Sequence, residues 1–101
     1  KPDYECTHAW HLFAPLINEK AAKMTRDDFM AGMKACNIGV GFHYDAVHLY
    51  SFYREKYGFK EGDFPNTESI ASRIVSLPLF PRMTIKDQDF VIDMMKKVFK
   101  N

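Results

Sequence analysis

The stretch from Ile38 to Pro81 constrains the fold of this chain more than any other part of its sequence. It starts with a segment in which glycine alternates with larger side chains, continues through a run rich in tyrosine and phenylalanine, and ends in an apolar run punctuated by prolines. Strict alternation over several residues is typical of a β-strand, because successive side chains of a strand point to opposite faces. Strands and helices are therefore expected to follow one another here.

The segment from Ile38 to Tyr44 is the predicted strand with the most unusual composition. One face, expected to join the core, carries the larger side chains Ile38, Val40, Phe42 and Tyr44. The opposite face carries Gly39, Gly41 and His43, so that two glycines remove the side-chain bulk beside one histidine. Glycine inside a strand often marks the close approach of a ligand or of another backbone. His43 is therefore a candidate ligand-binding residue, and the alternative is a hydrogen bond to a neighbouring loop.

Two further strands are predicted, from Trp10 to Ile17 and from Val75 to Pro81, because each is a short apolar run. They contain Pro15 and Pro78, and since proline cannot donate a hydrogen bond to a ladder, each strand is expected at a sheet edge or to stop early. His48 lies one turn into the helix that follows the glycine-containing strand, where it can supplement His43 or cover the apolar face of that helix.

The helices follow from periodicity and from capping residues. Four are predicted: Thr25 to about Asn37, Ala46 to Tyr57, Thr67 to Arg73, and Thr84 to Phe99. Thr25 and Thr84 each stand three residues before an aspartate, which is the spacing of a capping box. Asp45 and Gly58 suit the two ends of the second helix. The residues from Asn18 to Met24 are predicted to form a charged turn.

The predicted order β-α-β-α-α-β-α corresponds to an α+β fold, a small three-stranded sheet with packed helices. With 101 residues, 47% of them hydrophobic, the chain is long enough for a single domain over residues 1–101. The net charge of +1 opposes a nucleic-acid-binding module, which would need a basic groove beside its aromatic residues. No apolar run approaches the ~18 residues of a membrane helix. Two cysteines do not form a disulfide framework, so a cytoplasmic location is expected.

Ligand-type residues cluster near the start of the chain, at Cys6, His8 and His11. Zinc normally takes four ligands in paired spacing, and no second pair lies nearby, so no metal site is predicted. The glycines at 39 and 41 lack the spacing of a phosphate-binding loop. No serine or cysteine stands in a sequence context that indicates an activated nucleophile.

Several motifs in a fixed order make the chain similar to a known family. They are Gly39-x-Gly41-x-His43-Tyr44, His48-Leu49, Tyr53-Arg54, Tyr57-Gly58, Gly62-Asp63-x-Pro65 with Glu68, and Leu77-Pro78-Leu79 with Pro81. With these motifs the chain resembles the C-terminal part of the DegT or StrS family. Members of this family are pyridoxal-phosphate aminotransferases of the fold-type-I class that act on nucleotide-linked keto-sugars.

The resemblance implies that the chain is the C-terminal small domain of a larger, homodimeric enzyme that makes amino sugars for cell-surface polysaccharides or related products. Pyridoxal phosphate would be held mainly by the large domain, which is absent from this sequence, so no catalytic or cofactor-binding residue is expected here. The chain would form one wall of the substrate cleft and part of the dimer contact. His43 and Tyr44 match family positions that reach toward the nucleotide-linked keto-sugar, with His48 as the third substrate-binding candidate.

By this interpretation the chain alone is inactive, and the amino donor also binds to the complete enzyme. The alternative hypothesis is a non-catalytic module of the same fold that binds a sugar nucleotide or a protein partner. The two hypotheses differ in whether a large domain with a cofactor-binding lysine accompanies this chain.

Overall fold

Helices make up the regular structure of this chain, which a computed structural model describes over residues 3–100. In chain order the elements are α1 (Glu19–Ala22), α2 (Arg26–Ala35), a 3₁₀ turn (Val47–Leu49), α3 (Ser51–Tyr57), α4 (Pro65–Ala71) and α5 (Ile85–Val98). The predicted domain also includes residues 1, 2 and 101, which lie outside the described residues. None of the described helices is long and apolar enough to cross a membrane.

Capping boxes fix the starts of the two longest helices, α2 and α5, as their sequences predict. At α2 the Thr25 hydroxyl accepts a hydrogen bond from the Asp28 N–H (3.1 Å), and the Asp28 carboxylate accepts one from the Thr25 N–H (3.1 Å). Thr84 and Asp87 repeat this exchange at α5, with distances of 3.2 and 2.9 Å. The threonine hydroxyl and then the threonine N–H lower the pKa of each aspartate, because both donate to the charged carboxylate.

The hydrophobic core lies where α2 packs against α5 and against the extended segment around Val75. Its buried members are Ile17, Phe29, Met33, Ile38, Val75 and Val98. Phe29 also stacks on Phe99, with the ring centroids 5.0 Å apart. Gly32 permits the close approach of the two helices, since a Cβ at this position would lie 2.7 Å from a methyl carbon of Val98.

The three segments predicted as strands meet at single antiparallel backbone pairs within residues 3–100. The pairs are Phe13–Leu77, Leu16–Ile74 and Gly41–Ser76. The predicted three-stranded sheet is therefore not formed as a continuous ladder in this part of the chain. Pro15 is one reason, because it has no N–H and contributes only its carbonyl, which accepts from the Val75 N–H at 3.1 Å. The segment that pairs with both of the others, residues 74–77, also ends its pairing before Pro78.

The helix predicted from Ala46 to Tyr57 is wrong as a continuous element. Tyr50 adopts an extended conformation (ψ 145°) and separates the 3₁₀ turn from α3. Asp45 does not cap a helix, and its carboxylate instead accepts a hydrogen bond from the Tyr50 hydroxyl at 3.3 Å. In this arrangement His48 in the 3₁₀ turn is buried, whereas α3 has no buried residue. Tertiary contacts of the 3₁₀ turn thus override the helical periodicity of the sequence.

Two other boundaries also differ from prediction. The supposed turn from Asn18 to Met24 contains α1, which begins where the Asn18 side chain accepts a hydrogen bond from the Ala21 N–H at 3.2 Å. Helix α4 begins at Pro65, two residues before the predicted Thr67. Proline suits the first helical position because its φ is already helical and its missing N–H would have no helical partner there.

Large apolar side chains remain exposed over much of the surface. The radius of gyration is 16.1 Å, compared with about 13 Å for a compact domain of this length. Tyr44, predicted to face the core, is 70% exposed, and Phe90 in α5 is 51% exposed. An apolar groove of about 480 Å³ is lined by Trp10, Phe13, Leu77, Leu79, Val91 and Ile92. Apolar surface of this extent is typical of an interaction face.

Replacing Gly32 with alanine is expected to destabilise the chain, although alanine is the better helix former. The gain in helix propensity is about 1 kcal/mol, whereas overpacking a core typically costs about 1–3 kcal/mol. The new methyl group would lie 2.7 Å from the stiff, buried Val98 side chain. We therefore expect Gly32→Ala to lower the free energy of unfolding measured in urea, and to be neutral or stabilising in a Val98→Ala background.

Gly39→Ala is the matched control for this substitution. A Cβ at position 39 meets no atom within 4 Å in the described part of the chain, and the φ angle there is not positive. Equal losses of stability for the two glycine variants would contradict the packing argument.

Candidate functional site

The backbone pair between Gly41 and Ser76 places His43 beside a buried serine. The Gly41 N–H donates to the Ser76 carbonyl (3.2 Å), and the Ser76 N–H donates to the Gly41 carbonyl (2.7 Å). Two residues farther along, Nδ1 of His43 lies 2.7 Å from Oγ of Ser76. Ser76 is 6% exposed and His43 is half-buried. The hydrogen bond to a neighbouring segment that the sequence left open for His43 is thus present.

The second ring nitrogen of this histidine is in a different situation from Nδ1. Within residues 3–100, Nε2 of His43 has no hydrogen-bond partner. In the same part of the chain, a Cβ added at Gly39 would meet nothing within 4 Å, and one added at Gly41 would meet only the His43 ring, at 3.8 Å. His43 therefore combines one anchored nitrogen with one that is available to an incoming group.

Tyr44 stands next to His43 at the surface. The two rings meet edge to face, with their centroids 4.9 Å apart. Tyr44 is 70% exposed, so its predicted place in the core is wrong, while its phenol is accessible to a ligand. A phenol can either donate or accept a hydrogen bond. The structure thus brings together two of the three predicted site residues.

His48, the third predicted site residue, is 8% exposed and belongs to a separate cluster. Its Nε2 lies 3.0 Å from Oε1 of Glu68. Its ring packs edge to face against Phe64 (4.8 Å between centroids) and Phe59 (6.2 Å). Among the described residues, no hydrogen bond or ring contact joins His48 to His43.

Glu68, for which the sequence predicted no role, is the central acceptor of this cluster. Its carboxylate accepts hydrogen bonds from the backbone N–H of Gly62 (2.9 and 3.0 Å) and of Phe64 (3.2 Å). The Gly62 N–H is the largest cause that lowers the pKa of Glu68, with further contributions from Phe64 and His48 and an opposing effect of burial. The sequence does contain a signal for this role, because Glu68 is a carboxylate in the first turn of a helix that follows a glycine-containing loop, where it can accept hydrogen bonds from backbone N–H groups.

A groove of about 590 Å³ opens beside this cluster. Its polar lining includes Arg26, Asp45, Tyr50, Glu61, Glu68 and Ser69. Arg26 is fixed there, because its guanidinium lies 4.3 Å from the centre of the Phe42 ring and donates to the Ala71 carbonyl at 3.2 Å. Because Glu68 holds the loop that carries Glu61, the shape of this groove depends on the cluster around Glu68.

The described residues do not fit pyridoxal phosphate. A lysine that forms a Schiff base is activated by desolvation or by a neighbouring cation, whereas every lysine between residues 3 and 100 is exposed. In that range no group of three histidine, cysteine or carboxylate side chains is placed to hold a metal ion. Of the ligand-type residues near the start, His8 accepts a hydrogen bond from the Trp10 N–H at 2.8 Å, and its ring packs at a tilt of 35° against the Trp10 ring.

Comparison with known sequences identifies relatives over nearly the whole chain. Residues 1–96 match the family model of the DegT/DnrJ/EryC1/StrS aminotransferase family. The chain is 44% identical over 91 residues to the uncharacterized protein MJ1066 of Methanocaldococcus jannaschii. It is 39% identical over 94 residues to the spore coat polysaccharide biosynthesis protein SpsC of Bacillus subtilis. These alignments cover 90% and 92% of this chain but only 24% of each relative.

Solved structures share the fold. The TM-score is 0.79 at 17% identity with Helicobacter pylori PseC, an aminotransferase involved in the biosynthesis of pseudoaminic acid. It is 0.75 at 19% identity with the PMP-form of Spr1654 from Streptococcus pneumoniae. Both superpositions cover 89% of this chain, and they cover 24% and 22% of the respective known chains. The chain thus spans about a quarter of the length of the proteins it matches.

Replacing Glu68 with glutamine is expected to lower the melting temperature at neutral pH, because it removes the charge that accepts the loop N–H groups. The pKa of Glu68 in the folded chain lies below its usual value of 4.5. Its stabilising contribution is therefore present above about pH 4.5 and is lost as the pH falls through the folded-state pKa. The difference in melting temperature between the wild type and Glu68→Gln should accordingly shrink on acidification.

Glu61→Gln provides the control on the same loop. Glu61 is exposed and accepts no hydrogen bond within residues 3–100, so its substitution should leave the melting temperature unchanged at each pH. A Glu68→Gln difference that grows as the pH falls below the usual carboxylate range would rule out the assigned role of the charge.

Proposed function

The chain belongs to the DegT/DnrJ/EryC1/StrS aminotransferase family, and on this premise we propose that it is the C-terminal small domain of a longer aminotransferase that acts on nucleotide-linked keto-sugars. The observation that carries the proposal is a family match over residues 1–96 in a chain that spans 24% of its relatives. The names of two relatives, which refer to spore coat polysaccharide and pseudoaminic acid biosynthesis, favour a sugar substrate.

Pyridoxal phosphate is the cofactor of the proposed enzyme, and it acts as an electron sink during amine transfer. The exposed lysines of this chain support a division of labour in which the remaining part of the protein holds the cofactor. This chain then contributes orientation of the substrate and exclusion of water, and by itself it is inactive. An amino donor completes the set of small-molecule partners.

His43 and Tyr44 are the proposed contacts to the nucleotide-linked sugar. They lie side by side, with Nε2 of the histidine and the phenol of the tyrosine both available within residues 3–100. A neutral imidazole and a phenol can hydrogen-bond phosphate and sugar oxygens without adding a full charge to the site. His48, the third candidate, is proposed to act from within the same wall, where it and Glu68 hold the adjoining loop.

The exposed apolar surface is proposed to pack against the rest of the enzyme, including a second subunit in a homodimer. The groove that includes Trp10 and Phe13 and the exposed Phe90 support this proposal, because monomeric domains rarely leave such surface uncovered. The three paired segments are proposed to form the small sheet of the assembled protein. Free thiols at Cys6 and Cys36 are consistent with the cytoplasm as the proposed location.

The proposed activity is tested on the full-length protein. Purified protein should carry the absorbance of bound pyridoxal phosphate, and it should transfer an amino group to a nucleotide-linked keto-sugar supplied with an amino acid. A full-length protein that binds the sugar nucleotide but holds no cofactor would overturn the aminotransferase proposal.

A His43→Ala variant of the full-length protein is expected to raise KM for the sugar nucleotide and to leave cofactor absorbance intact. One hydrogen bond contributes about 0.5–1.5 kcal/mol, which corresponds to a change of roughly 2- to 13-fold. Steady-state kinetics at several sugar-nucleotide concentrations measure this effect.

His11→Ala is the matched control, because His11 is an exposed histidine outside the site. It should leave KM unchanged. Kinetics of His43→Ala that equal those of the wild type would remove His43 from the proposed site.

A further inference from the structure

Ser76, the hydrogen-bond partner of His43, is buried and held by its backbone. Its backbone N–H and carbonyl are both bonded to Gly41, at 2.7 and 3.2 Å. Ser76 is only 6% exposed, and it follows the fully buried Val75 in the chain. The oxygen that faces Nδ1 of His43 at 2.7 Å is therefore a fixed point of the core, not a mobile surface group.

The hydrogen-bonding needs of this hydroxyl select one tautomer of His43. Within residues 3–100, the Ser76 Oγ has Nδ1 of His43 as its only hydrogen-bond partner. A buried hydroxyl needs an acceptor for its proton, since an unpaired buried donor is costly. Only an unprotonated Nδ1 can accept that proton. A neutral ring whose Nδ1 is unprotonated carries its single N–H on Nε2.

We propose that Ser76 is a positioning residue that holds His43 as the tautomer protonated on Nε2, so that His43 presents an N–H donor to an oxygen of the bound sugar nucleotide. Nε2 has no hydrogen-bond partner within residues 3–100, and Cε1, the carbon between the two ring nitrogens, lies next to Gly41, which has no side chain. The substrate end of the inference rests on the proposed function. The hold of Ser76 on the ring rests on the geometry of this chain alone.

Nitrogen NMR of the full-length protein, labelled with ¹⁵N in histidine only, tests the hold of Ser76 directly. The His43 signals are identified as those that disappear in His43→Ala. In the wild type at neutral pH, Nδ1 should resonate as an unprotonated nitrogen and Nε2 as an N–H nitrogen. In Ser76→Ala both signals should move toward the averaged positions of a ring that exchanges between tautomers.

Three further variants test whether the His43 signals depend on the Ser76 hydroxyl itself. Ser76→Thr keeps the hydroxyl and should retain the wild-type signals. Should the extra methyl group prevent folding, Ser76→Cys keeps the shape with a weaker donor and should give intermediate shifts. Ser51→Ala removes an exposed serine from α3 and should leave the His43 signals unchanged.

Kinetics of the same proteins separate this inference from the proposed function. Ser76→Ala should raise KM for the sugar nucleotide by about 2- to 10-fold, within the range expected for one hydrogen bond, and should add little to His43→Ala in the double variant. Wild-type His43 signals in Ser76→Ala overturn the positioning role. Averaged signals with an unchanged KM leave the tautomer assignment standing and overturn the proposed substrate contact.

Discussion

The structure depends on the central position of the segment 74–77. The N–H groups of Val75 and Leu77 donate to the segment that contains Pro15, whereas Ser76 pairs with Gly41 on the opposite side. Successive N–H groups of an extended chain point in opposite directions, so three consecutive residues can bind two neighbours at once. The Val75 side chain is meanwhile fully buried in the core. One short segment therefore connects the core, both flanking segments and the candidate site.

Both candidate histidines are anchored by side chains that are distant in sequence. His43 is held by Ser76, 33 residues away, and His48 by Glu68, 20 residues away. Each anchor is in turn bound by backbone groups, those of Gly41 for Ser76 and those of the loop before α4 for Glu68. The proposed binding wall would therefore be preorganised, because both histidine side chains are already fixed within this chain.

Local features were predicted well, and the reason is that each depends on a few neighbouring residues. The capping boxes at Thr25 and Thr84 form as expected, and Gly58 ends α3 in the left-handed conformation (φ 74°). The continuous helix through Tyr50 was wrong, because the burial of His48 against Glu68 outweighs helical periodicity there. The three predicted strands pair only at single positions within the described residues, because Pro15 and the glycines weaken a ladder that depends on long-range pairing.

The sequence by itself determined the starts of α2 and α5 and the motifs that assign the family, since spacing along the chain specifies both. The glycines beside His43 also marked it as a candidate ligand-binding residue, and the family resemblance added Tyr44. Only the tertiary structure decided which group each histidine faces, that Tyr44 leaves the core, and that Glu68 holds a loop. These outcomes depend on distances between residues far apart in the chain, which local propensity and periodicity do not encode.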